Sequence, residues 1–255
     1  MPVRQVGRLE GDVVLEGPAA VAHSALDWQL NEWDAFSLEA ALQLSEAGGS
    51  GEVVVVSVGG DEAEAGLLAC LAKGADRAIR VWDPALAGAD PLTIAAVLEP
   101  VARREAPDLI LCGVQSSDAA NGATGIALAG LLDLPHVAVV TAIALDGDGL
   151  IVDRELDGGT VEVLRVPRPA LLTVQTGINE PRYATLRAIK QARAKPLETL
   201  MPGELGLDAS GLSAAGSRTL SLTEPERGDG AEMIEGGPAE IAARIAELVG
   251  EALRS

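Results

Sequence analysis

Hydrophobic positions in this chain fall into a repeating order of runs. Residues 53–58, VVVVSV, show no polar alternation, the pattern of a strand covered on both faces. Gly59 and Gly60 end the run. Asp61 then stands where it can cap a helix reaching about Lys73, with Leu67, Leu68 and Leu71 on its apolar side and Gly74 as its stop. A short strand follows at 77–81, and a helix opened by Pro91 runs through Ile94, Val97, Leu98 and Val101. Residues 108–113, DLILCG, read as a second buried strand, followed by a polar loop, a helix of small residues at 122–132 and a strand at 137–141. Alternation of this kind predicts an α/β fold with a mostly parallel sheet and flanking helices.

After Thr141 the pattern changes. LDGDG, ELDGGT and VPRP separate short runs at 150–156, 160–166 and 170–174, and the Asp-Gly turns predict antiparallel hairpins added to the sheet. Residues 1–195 therefore read as one α/β domain, and 196–255 as an arm interrupted by Gly, Pro and Ser. The arm ends in a helix at 238–253, whose Ile241, Ile245 and Leu248 recur every three to four residues and need something to pack against.

Composition narrows the function. A net charge of −19 opposes a phosphate backbone, so nucleic acid is a poor partner. Cys70 and Cys112 sit in apolar strings without CxxC spacing and read as core residues, not as a disulfide or zinc site. No apolar run approaches the ~20 residues of a membrane helix. The first residues, MPVRQVGRLEGD, lack the apolar core of a secretory signal, so the expected location is the cytoplasm with no membrane insertion. His23 and His136 have no Cys or acid at ligand spacing, and no GxSxG, HExxH or paired-carboxylate pattern is present, so no catalytic side chain and no metal site are expected.

Ligands of open parallel sheets sit at the carboxyl ends of strands. The loop after DLILCG, GVQSSDAANGATG (113–125), offers Gln115, Ser116, Ser117, Asp118, Asn121 and Thr124 before a helix whose first amides are free. No Lys or Arg occurs between Arg104 and Arg154, so a phosphate there would rest on amides, hydroxyls and the helix dipole. The alternative is that Gly and Ala simply permit tight packing and the polar residues cap the helix, since the string matches neither GxxxxGK[ST] nor GxGxxG.

The segment 178–196, INEPRYATLRAIKQARAKP, packs five positive side chains into fourteen positions of an acidic chain. If 184–195 is helical, Arg187, Lys190 and Arg193 share a face, beside Leu186 and Ile189. It reads either as a solvated amphipathic helix or as a docking element, an apolar anchor ringed by charge.

NEPRYATL followed by a basic helix closely resembles the signature of the beta subunit of electron transfer flavoprotein, the family that includes the FixA proteins. LNEWDAFSLEAALQLSE (30–46), VSVGG with LAKGADRAIRV, DLILCGVQSSDAANGATG (108–125) and DRELDGG (153–159) fall in the family's order and at about its spacings, so the resemblance covers most of 30–205. It implies a Rossmann-like, adenine-nucleotide-hydrolase-like fold, with 1–195 as the nucleotide-binding domain, and a heterodimer with an alpha subunit, embraced by the C-terminal arm. It further implies a buried AMP, or a second FAD in bifurcating members, and a redox FAD held mainly by alpha near the interface. Electrons would arrive from flavin-dependent dehydrogenases and leave toward a quinone-linked oxidoreductase.

Carried over by position, the resemblance assigns Asn31, Trp33, Val58, Gly113, Gln115, Asp118, Asn121, Gly122, Ala123, Thr124 and Gly125 to cofactor binding. Thr124 is the most direct match in the phosphate loop, and Trp33 falls where members place an aromatic near the flavin. Glu155 resembles a glutamate that pairs with an arginine of alpha, while Tyr183, Leu186, Ile189 and Lys190 belong to the recognition loop, with Leu186 as its anchor. Two departures stand out. Ala119 and Ala120 follow Asp118 where many members carry acids, and Gly122 and Ala123 replace polar residues, which leaves fewer contacts to define the nucleotide. Only PVRQV matches the end of the family's first strand, so that strand is expected to be short or to begin upstream, leaving the adenine pocket without one wall. The competing functions are a stand-alone adenine-nucleotide sensor and an ATP-using enzyme of the hydrolase type.

Overall fold

The computed structural model describes residues 1–9, 11, 13–49, 51–208, 216–217, 219–224, 230–231 and 233–254. Parts of the expected arm, 209–215 and 225–229 among them, lie outside the described residues. Contacts divide the chain into Met1–Ser221 and Leu222–Ser255.

Two antiparallel strands, β1 (Gln5–Leu9) and β2 (Leu26–Leu30), form a small ribbon that the sequence pattern did not reveal. Helix α1 (Glu32–Ala47) follows, then β3 (Val54–Val58), α2 (Asp61–Lys73), β4 (Arg77–Val81), α3 (Pro91–Glu105), β5 (Leu109–Gly113) and α4 (Thr124–Leu132). Strands β6 (His136–Asp146), β7 (Gly149–Glu155), β8 (Val161–Pro167) and β9 (Ala170–Val174) come next. Helix α5 (Leu186–Ala192) and β10 (Leu197–Leu200) complete the first unit. Asp61 does not cap α2: the cap is Gly60, whose amide is taken by Glu62, while Asp61 receives Arg80. Asp90 does cap α3, accepting from the amide of Thr93 at 2.7 Å beside Pro91.

The strands form two groups. Strands β10, β4 and β3 run parallel, and β10, although it lies beyond Pro196, pairs with β4 over its whole length. In the second group, β5, β9 and β6 are parallel, and β7 and β8 extend β6 as antiparallel hairpins. Strand β9 is the correction to the hairpin pattern. ALLTV is buried at every position and lies between β5 and β6, parallel to both, because an unbroken apolar run has no face to give to solvent.

Alternate residues of these strands serve opposite faces. Val56, Ile79, Val81, Ile110 and Leu171 pack with Val97, Leu98, Val101 and Leu128 of α3 and α4. Val53, Val55 and Ala78 pack instead with Leu38, Leu42, Leu67 and Leu71 of α1 and α2. Leu111, Leu172 and Val174 join Val140, Leu150 and Val152 in a third cluster, with Ala40 of α1 at its margin. The result is a helix–sheet–helix sandwich built almost wholly from aliphatic side chains.

Met1–Val3 run along β3 in parallel, with the Met1 amino group donating to the Val54 carbonyl and the Val3 amide to the Val56 carbonyl, both at 2.8 Å. Between β3 and β5 lies a cleft of about 700 Å3 lined by Val54, Leu98, Val101, Leu109 and Leu111. It also takes in Glu52 and Asp108, at the amino ends of the two strands, the end opposite to where sheet ligands collect. The second unit contains α6 (Pro238–Ala252), an amphipathic helix with Pro238 at its first position and Glu240 accepting from the Gly237 amide. Ile245, Leu248 and Val249 are exposed on it. No described helix is long and apolar enough to cross a membrane.

Candidate functional site

The carboxyl end of β5 and the start of α1 meet without a spacer. A Cβ on Gly113 would lie 2.5 Å from the Trp33 Cβ and 2.7 Å from an Asp34 carboxylate oxygen, so only glycine lets α1 approach this closely. A Cβ on Gly125 would lie 2.6 Å from the Cys112 sulfur and 2.9 Å from Thr173, which explains the small residue at the first turn of α4. Between them the loop is pinned at both ends. The Val114 amide donates to Val174, the Ala120 amide donates to Ser116, and Ala120 and Gly122 take the left-handed backbone conformation.

Asn31, only 1% exposed, ties this loop to α1. It precedes α1 but makes no capping bond; its amide nitrogen donates to the Gln115 carbonyl at 2.9 Å, and its oxygen accepts from the Ser117 amide at 3.3 Å. Asp34 lies one turn further on, buried, accepting from the Arg4 amide at 2.9 Å and the Gly113 amide at 3.1 Å. Burial pushes its carboxyl up to about 6, against the pull of those amides and of Asn31.

A cavity of about 130 Å3 results, lined by Val3, Asn31, Val58, Gln115, Asn121 and Thr124. Gly113, Gly122, Ala123 and Gly125 border it as well. Nine of the eleven positions assigned to cofactor binding thus surround one space. The other two turn elsewhere: the Trp33 indole donates to Gln175 at 2.9 Å, and Asp118 accepts from Arg4 at 2.6 Å. Pro2, Val3 and Arg4 also line the cavity, on the side where the short first strand led us to expect a gap.

Arg4 corrects a second expectation. The loop carries no nearby cation in sequence, yet the fold brings a guanidinium to Asp118 across the molecule. Arg4 gets there because its own amide and carbonyl are both held, by Asp34 and by the Asn31 amide. The signal that could have found it is the PVRQV string, which carries Arg4 where the resemblance places the end of the first strand.

The basic segment 178–196 lies elsewhere on the body. Tyr183 is 94% exposed and Leu186 81%, with Ile189 half-exposed and Arg187, Lys190 and Arg193 all exposed. The helix is shorter than 184–195: Thr185 caps it through the Ala188 amide. Two of the five cations turn inward. Arg182 bonds Glu39 and Glu46 of α1, and the Lys195 ammonium donates to the carbonyls of Leu71 and Ala75 at the end of α2. Glu155 is exposed at the end of β7.

Other polar candidates are accounted for by packing. Cys70 and Cys112 are buried and unpaired, and burial pushes both thiols up to about 12. His23 stacks on Trp28 with ring centres 4.9 Å apart. Among the described residues no His, Cys, Asp and Glu converge as metal ligands.

Compared with known proteins, residues 19–205 match the electron transfer flavoprotein domain. The electron transfer flavoprotein subunit beta of Methylophilus methylotrophus is 45% identical over 98% of this chain and 96% of its own length. That of Bacillus subtilis (strain 168) is 33% identical over 94% and 92%. The human subunit beta is 40% identical over 70% and 71%. An α/β sheet with this signature loop, matched along nearly its full length by such relatives, places the chain in the electron transfer flavoprotein beta-subunit family.

Proposed function

We propose that this chain pairs with an alpha subunit in the cytoplasm, binds AMP as a structural element, and docks flavin-dependent dehydrogenases. Electrons would then pass through an FAD held mainly by alpha to a quinone-linked acceptor. One observation carries the reading: a small cradle of main-chain donors and small residues at the carboxyl end of β5, on the same body as an exposed leucine ringed by charge.

The residues of the cradle fit an adenylate. The first amides of α4 have no partner within their helix and carry its positive dipole, which suits a phosphate. Gly122 and Ala123 leave room for close approach, and Thr124 offers a hydroxyl. Asn31 spends its side chain on the loop backbone, so its part is to hold the cradle in shape. Arg4 stands beside the loop as a counter-charge that binding can draw from Asp118. A cavity of about 130 Å3 lies below the usual range for cofactor sites, so either nucleotide, AMP or a second FAD, has to displace part of its lining to enter.

FAD, when bound, supplies the one- and two-electron chemistry. This chain's residues do the rest. Trp33, fixed by Gln175, presents an aromatic surface toward the flavin; Glu155 offers a carboxylate to an arginine of alpha; Leu186 and Ile189 give a donor protein an apolar contact, with Tyr183 and Lys190 beside them. The amphipathic face of α6 is the element that packs on alpha.

The test is to purify the chain with its alpha subunit, denature the complex, and identify what is released by mass spectrometry. One FAD and one AMP per heterodimer are expected. Two FAD would replace the AMP assignment by the bifurcating one, and a colourless self-associating chain that hydrolyses ATP would overturn the reading.

A further inference from the structure

A recognition loop must be exposed to meet its partners, yet held in one shape if each encounter is to be brief and productive. Exposed loops with few apolar contacts usually open at low cost. In this chain the loop buries little of itself: Tyr183, Leu186 and Ile189 face outward, and Ala192 is its only fully buried residue. Its order therefore has to come from polar contacts at its base.

Those contacts are concentrated on α1. The Arg182 guanidinium donates from Nε to Glu39 at 2.8 Å and from a terminal nitrogen to the other Glu39 oxygen at 3.0 Å, and the Arg182 amide also donates to Glu39 at 3.1 Å. The Glu39 side chain is only 6% exposed, and Gln43 donates to it from below at 2.9 Å. Glu46, two turns further along and well exposed, takes the remaining edge of Arg182 at 2.7 Å. Asn179 donates to the Phe36 carbonyl at 3.0 Å, so the chain is fixed to α1 on both sides of Pro181. At the far end, the Lys195 ammonium closes the carbonyl end of α2 at 2.6 and 3.0 Å.

We propose that Glu39 is a positioning residue for donor recognition: through Arg182 it holds the loop so that Leu186 is presented in one orientation. Glu39 itself is almost wholly covered, so its part is played through Arg182. The inference rests on Leu186 being the docking anchor, as proposed above. A bidentate, charge-assisted pair on a mostly buried carboxylate suits this role, because its geometry admits a single approach. Lysine at position 182 would keep the charge but lose the fork. The same helix carries Asn31 and Asp34 at its other end, so α1 is a common frame for the nucleotide cradle and the loop.

The experiment uses the full chain in complex with alpha and a purified flavin dehydrogenase that reduces the wild-type complex. Glu39→Gln should raise KM for that dehydrogenase about tenfold, the worth of one charged hydrogen bond, with kcat and flavin and nucleotide content unchanged. Trypsin should cut faster after Arg187 and Lys190, and Arg182→Lys should fall between wild type and Glu39→Gln in both measurements. Glu46→Gln, at an exposed position, gives the same change in smaller measure if Glu39→Gln proves too unstable to purify. Wild-type KM and trypsin resistance in Glu39→Gln, alongside a raised KM in Leu186→Ala, would overturn the positioning role and leave the docking role standing. A wild-type KM in Leu186→Ala would remove the docking reading on which it rests.

Discussion

Arg4 and Asp118 are 114 residues apart in sequence and 2.6 Å apart in the fold. The pair brings a positive charge to a loop that has none of its own, and both side chains remain partly exposed. Exposed pairs of this kind contribute about 0–1 kcal/mol to stability. Arg4→Gln is therefore expected to leave the melting temperature nearly unchanged while weakening retention of the adenylate. Nucleotide released during dialysis of wild type and variant checks this, and equal retention would remove Arg4 from the site.

Leu186→Ala should slow electron transfer from the dehydrogenase and leave flavin content intact, since the side chain is exposed and supports no core contact of the body. Stopped-flow reduction of the complex measures it.

Arg187 and Lys190 are exposed on the same short helix as that leucine, and Arg193 is exposed at its end. If they steer donors, the association rate should fall as ionic strength rises from low to physiological values, where the screening length is about 8 Å. A rate indifferent to salt would mean that these charges are merely solvated.

Asp34 makes stability depend on pH. Its carboxyl titrates near 6 in the fold and at 3.8 when unfolded, because burial penalises the charge more than the Arg4 and Gly113 amides relieve it. Between those values the folded chain keeps a proton that the unfolded chain has lost, so stability falls as pH rises through that window, by about 3 kcal/mol in all. Asp34→Asn removes this slope. Urea midpoints of the two proteins, followed from about pH 3.5 to pH 7, should converge or cross toward neutrality; parallel curves would contradict the assignment.

Gly125→Ala places a methyl group against Cys112 and Thr173 at less than contact distance. Overpacking of this kind costs about 1–3 kcal/mol. The variant should melt lower and lose nucleotide, as it shifts the first turn of α4. Thermal unfolding together with nucleotide content checks both effects.

Several local rules carry through from sequence to structure, although Asp61 does not cap α2. Unbroken apolar runs became the buried parallel strands β3 and β5, Asp90 with Pro91 opened α3, and Asp-Gly turns joined β6 to β7 and β7 to β8. The short ribbon β1–β2 was missed because its strands hold Gly7, Arg8, Asp27 and Gln29, which weaken any period-two pattern. Strand β9 was misjudged for the converse reason. Its position after hairpin turns suggested another hairpin, whereas its uniform apolarity required the sheet interior.

The sequence by itself determined that the chain is an α/β protein with a polar loop after β5 and one basic segment, since periodicity, turn residues and charge counts are local properties. Only the tertiary structure decided which groups meet there. Arg4 reaches the loop, Asn31 and Asp34 hold it, and Glu39 takes Arg182, through contacts between residues 30 to 143 positions apart. Sequence spacing does not record such proximity. It arises when aliphatic helices and strands close on one another and bring polar groups to the same ends of the sheet, where each must find a partner or stay in water.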